Sequence, residues 1–113
     1  MRFVNWLLII ALLCIPICAE ESQTIVLTDE DGRNVTVPLN PERIVCLSPG
    51  AAEVLCALGA QDRIVAITRD CNKPASLLTL ESVGESGREA DIERILEIRP
   101  DLVIAKTGAL FPE

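Results

Sequence analysis

Apolar residues recur along the chain in four kinds of pattern. Residues 6–19 ("WLLIIALLCIPICA") are almost wholly apolar. Further on, Ile25 and Leu27, then Val35 and Val37, follow a two-residue period on either side of "DEDGRN", whose Gly32 supplies turn chemistry. This predicts a β-hairpin, ended by Pro38 and Pro41. Three short continuous runs follow: "RIVCL" (43–47), "RIVAIT" (63–68) and "DLVIA" (101–105). Runs of this kind belong to strands buried on both faces of a parallel sheet. Between the first two, apolar residues at 51, 54, 55 and 58 have helical spacing. Ser48 suits the N-cap of that helix, Pro49 its first position and Gly59 its left-handed C-cap. "DIERILEIRP" predicts a second helix, with Asp91 as N-cap, Ile92, Ile95 and Leu96 on one face, and Pro100 as the stop. The polar stretch "RDCNKPASLLTLESVGESGREA" (69–90) is expected to be a long surface loop with little regular structure.

The predicted fold class is therefore α/β: a parallel sheet with flanking helices, preceded by an N-terminal β-hairpin. In open parallel sheets, ligands gather beyond the carboxyl ends of the strands. Ser48, Asp70 and the segment 106–108 all follow strands and would share that edge. Three strands and two helices leave the last strand uncovered, so the layer is expected to be part of a larger one.

The first apolar run changes the picture of where the protein works. Arg2 precedes it, and Glu20 and Glu21 follow it. At fourteen residues (6–19) it is shorter than the roughly 20 needed to span a bilayer, but it suits a secretory signal. Residues 1–19 are thus expected to direct export, giving an extracytoplasmic protein in the periplasm or on the outer face of the membrane. Cleavage after Ala19, retention as an anchor and lipid attachment at Cys14 or Cys18 all remain open.

Charge and cysteine usage narrow the function. The chain has 10 basic and 17 acidic residues, net −7. Arg2 is the one charge in residues 1–19, so the remainder carries nine basic against 17 acidic residues, or −8. With no basic block and no Tyr, nucleic-acid binding is disfavoured. Cys46 lies in an apolar strand and Cys56 in an apolar helix, where they act as small buried hydrophobes; the pairing of Cys46, Cys56 and Cys71 stays open. The chain has no His and no cysteines at metal-site spacing, so no resident metal or other cofactor is expected. A Ser-His pair cannot be built and no G-x-S-x-G elbow is present, which disfavours an exported α/β hydrolase.

Four ordered segments then point to a family. "RIVCLSPGAAEVLCALG", "CNKP", "VGESG" and "DIERILEIRPDLVIA" together resemble the solute-binding proteins of ABC importers for cobalamin, ferric siderophores and haem. The resemblance spans about residues 22–110. It implies a non-enzymatic, bilobed binder with a long linking helix and ligand held between the lobes. Residues 20–113 would form an incomplete N-terminal lobe, and a non-functional truncated remnant is the alternative. It further implies that Ser48, Pro49, Gly50 and Asp70 line the ligand cleft. Glu93 falls where family members present a Glu to an Arg pocket of the permease. The expected partners are ABC permease subunits and a metal chelate, a ferric siderophore or a corrinoid. Many relatives carry Tyr where this chain has Asp70 and Lys73, and an aromatic residue near "GESGREA". The lack of aromatic faces counts against cobalamin and haem, and Arg69, Lys73 and Arg88 would suit an anionic chelate if they are not simply solvated.

Overall fold

The computed structural model describes residue 21 and residues 23–106. The expected export segment lies outside the described residues.

Strands β1 (Thr24–Thr28) and β2 (Asn34–Pro38) pair antiparallel as a separate two-stranded sheet. The acidic turn between them closes on Asp29. Its carboxylate accepts the Arg33 backbone N–H at 2.8 Å, the Asp31 N–H at 3.0 Å and the Arg33 Nε–H at 2.7 Å. These contacts, the Arg33 backbone N–H first among them, hold the Asp29 carboxyl below its usual range.

The main sheet has the order β5-β4-β3-β6 and is parallel throughout. Its strands are β3 (Ile44–Cys46), β4 (Ile64–Ile67), β5 (Glu81–Ser82) and β6 (Leu102–Ile104). Helices α1 (Pro49–Ala57) and α2 (Ile92–Ile98) cover opposite faces. On the α1 face, Cys46, Ile64, Ile67, Cys71 and Leu77 pack with Ala52, Leu55 and Cys56. On the α2 face, Val45, Leu47, Ala66 and Val83 pack with Ile95 and Ile98. Neighbouring residues of β3 thus enter different cores, which is why its sequence is a continuous apolar run rather than an alternation.

Helix α1 ends as its sequence predicts. Gly59, at φ +77°, donates its N–H to the Cys56 carbonyl at 3.0 Å, and Ala60 donates to Leu55 at 2.9 Å. This double closure satisfies two carbonyls of the last turn. Helix α2 is capped by Asp91, whose carboxylate accepts the Arg94 N–H at 3.0 Å. At its other end, Arg43 donates to the carbonyls of Ile98 (2.7 Å) and Arg99 (3.3 Å). The Asp101 carboxylate returns the tie by accepting the N–H groups of Glu42 (2.8 Å) and Arg43 (3.0 Å). The start of β3 is thereby stapled to the link between α2 and β6.

Residues 69–90 correct the expectation of a mostly irregular surface loop. They contain a 3-10 turn (Ala75–Thr79), strand β5, and a second 3-10 turn (Gly87–Glu89), and they bury Cys71, Leu77 and Val83. Among the described residues the main sheet accordingly has four strands. The polar composition hid this because β5 is held by pairing with β4 (Ala66 to Glu81, Ile67 to Ser82), not by an apolar side-chain pattern.

Candidate ligand-binding cavity

The carboxyl ends of all four parallel strands converge on one cavity of about 220 Å³. Leu47, Ser48 and Pro49 follow β3, Asp70 follows β4, Ser86, Gly87 and Arg88 follow β5, and Lys106 follows β6. Of the residues expected at a cleft, the structure brings Ser48, Pro49 and Asp70 together here; Gly50 is not among the lining residues. Ser86 and Gly87 were not singled out from the sequence, because the strand that delivers them could not be read there.

Ser48 has the extended backbone of an N-cap (φ −139°, ψ 119°), yet its hydroxyl makes no capping hydrogen bond. Only its carbonyl serves the helix, accepting the Ala52 N–H at 3.0 Å. The hydroxyl is therefore free of the helix and sits on the cavity wall. That combination fits a group offered to a ligand better than a helix cap.

Asp70 is positioned by the turn below it. The hydroxyl of fully buried Thr68 donates to Asp70 Oδ1 at 2.6 Å. The Asp70 N–H reaches the Glu85 carbonyl at 3.2 Å, and the Arg69 N–H reaches that of Gly84 at 2.9 Å. An exposed Arg69–Glu85 ion pair at 2.8 Å spans the same two segments. The turns after β4 and β5 are thus stitched into one unit, and that unit carries three of the cavity's five polar side chains: Asp70, Ser86 and Arg88.

None of the described cysteines lines the cavity. Cys46, Cys56 and Cys71 are free thiols. Burial pushes the Cys46 thiol up to about 11 and raises Cys71 as well. Both stay protonated near neutrality and pack as core residues; a buried thiol of this kind is a poor nucleophile or metal ligand. Among the described residues, no group of three or more His, Cys, Asp or Glu is arranged to hold a metal ion.

Glu93 lies in the first turn of α2, exposed, and is not part of the cavity. The neighbouring Arg94 is also exposed and pairs with Glu81 of β5 and, at 2.6 Å, with Glu97.

A family model described as "Periplasmic binding protein" matches residues 44–112. The chain belongs to the periplasmic binding protein family. Its sequence is 40% identical over 68 residues to the vitamin B12-binding protein of Vibrio cholerae, covering 60% of this chain and 24% of that relative. Among solved structures, it is similar to the heme binding protein HmuT, with a TM-score of 0.61 and 30% identity over 78% of this chain and 30% of HmuT. It is also similar to the periplasmic catecholate-siderophore binding protein VctP of Vibrio cholerae, with a TM-score of 0.63 and 25% identity over 77% of this chain and 32% of VctP. The chain spans about a quarter of the length of the curated relatives it matches.

Proposed function

We propose that residues 20–113 form the N-terminal-lobe wall of the extracytoplasmic substrate-binding component of an ABC importer. Its cargo is a metal chelate of the siderophore or cobalamin type. The observation that carries this reading is the cavity built from four parallel strand ends within the segment that matches the family. Such a component binds and delivers and is not an enzyme. Relatives described as periplasmic or as a substrate-binding lipoprotein support an extracytoplasmic location. Residues 1–19 act as the export signal in this account. N-terminal sequencing of the exported product is expected to begin near Glu20, and a cytoplasmic product that keeps Met1 would contradict the signal.

Docking on the permease falls to Glu93 in the same account. Its exposed position in a helix first turn, away from the cavity, supports that role. Glu93→Ala in a complete binding protein carrying this lobe is expected to leave chelate affinity unchanged. Permease association should fall at least about tenfold, the loss expected when one partner of a desolvated charge pair is truncated. Uptake should slow in parallel. Glu93→Gln keeps the shape but loses the charge and should behave like the alanine variant. If both variants only lower the melting temperature, and the folded fraction transports normally, Glu93 merely complements the helix dipole and the docking role is wrong.

A further inference from the structure

We infer that Arg88 and Lys106 make this cavity selective for an anionic, oxygen-rich metal chelate over a neutral corrinoid, and that the same wall offers haem neither an aromatic face nor an iron ligand. The inference rests on reading the cavity as a chelate site. Outside residues 1–19 the chain has nine basic and 17 acidic residues, yet this cavity has two cations on its wall and one carboxylate. The carboxylate, Asp70, is already engaged by the Thr68 hydroxyl at 2.6 Å. Arg69, close in sequence, is committed to Glu85 at 2.8 Å and is not part of the wall. Arg88 and Lys106 enter no ion pair among the described residues. A recess with a net positive wall in an acidic body focuses field on anions. Arg88 offers a planar fork suited to paired carboxylate or catecholate oxygens, and Lys106 adds a mobile point charge. The hydroxyls of Ser48 and Ser86 stand on the same wall.

What the wall lacks works in the same direction. The three aromatic residues of the chain, Phe3, Trp6 and Phe111, lie outside the described residues, and the described lining of the cavity has no aromatic side chain. A flat macrocycle would find no aromatic face there. Haem iron takes its protein ligands from His, Tyr, Cys or Met. The described wall offers none of these: the chain has no His and no Tyr, its one Met is Met1, Cys46 and Cys71 are fully buried in the core, and Cys56 packs on the α1 face and does not line the cavity.

The test is a titration of the ¹⁵N-labelled 113-residue chain followed by amide shifts. The probes are gallium(III) tris-catecholate, a diamagnetic trianion, and then cyanocobalamin and haemin. Gallium tris-catecholate is expected to shift the amides of Ser48, Ser86 and Gly87. Its affinity should fall about three- to fivefold in Arg88→Gln and again in Lys106→Gln, the size of a partly exposed charge contact. Arg69→Gln should leave it unchanged. Cyanocobalamin and haemin should leave those amides in place. If either macrocycle shifts them at equal or lower concentration, or if Arg88→Gln and Lys106→Gln bind the catecholate as the parent does, the selectivity is overturned while the cavity remains a chelate site. If no probe moves these amides, the chelate reading itself falls, and the selectivity with it.

Discussion

Gly84→Ala is expected to unfold the turn that carries one side of the cavity. Gly84 sits at φ +144°, a backbone conformation that residues with a Cβ rarely adopt. A Cβ placed there would lie 2.3 Å from the Glu89 carbonyl oxygen and 3.0 Å from the Ala90 Cα. Both are backbone atoms, so no side chain can swing aside to relieve the overlap. The surrounding backbone is also held: the Gly84 carbonyl accepts the Arg69 N–H at 2.9 Å, the Val83 N–H reaches Ile67 at 2.8 Å, and the Asp91 N–H reaches Val83 at 2.7 Å. Strain and overlap together should cost about 3 kcal/mol or more. For a domain of this size that lowers the melting temperature by at least about 10 °C. Gly32→Ala is the comparison: Gly32 is also at positive φ, +78°, but nothing lies within 4 Å of its Cβ position. There only the left-handed strain remains, about 1–2 kcal/mol. Thermal unfolding of the two variants side by side checks the difference. Equal losses would mean that the segment 84–90 does not pack as described. Because the same turn presents Ser86 and Arg88, Gly84→Ala should also abolish the amide shifts that a bound chelate causes at Ser86 and Gly87.

Much of this architecture was legible because its strands and helices announce themselves by apolar pattern. The hairpin, β3, α1, β4, α2 and β6 each have a periodic or continuous apolar run bounded by Gly, Pro or Asp. The edge formed by Ser48, Asp70 and Lys106 followed from the strand ends alone. Strand β5 was illegible for a physical reason: both of its residues, Glu81 and Ser82, are exposed, and only backbone pairing makes them a strand. The burial that anchors the region comes from Leu77 and Val83, outside the strand, and isolated apolar residues have no period to read. Ser86 and Gly87 were missed along with it. Gly50, which the family resemblance groups with Ser48 and Pro49, is not among the residues lining this cavity. Ser48 shows a subtler limit. Sequence reads a capping serine, whereas the structure keeps the cap geometry and leaves the hydroxyl unused by the helix. Asp91, read by the same rule, does cap its helix.

The account's central claim is that these residues supply one wall of a binding cleft and not a closed site. The cavity is open and small, about 220 Å³, below the roughly 300–1,000 Å³ of pockets that enclose a drug-sized ligand. A single wall gives up the contacts of the opposite lobe, while the ligand still loses its translational and rotational freedom on binding. Affinity should therefore fall far below that of a closed cleft. Calorimetry of the 113-residue chain with gallium(III) tris-catecholate, cyanocobalamin and haemin tests this most directly. The account predicts measurable but weak binding of the catecholate, with a Kd above roughly 100 µM. Micromolar or tighter binding of any of the three would contradict it, because a complete site would then lie within this one lobe.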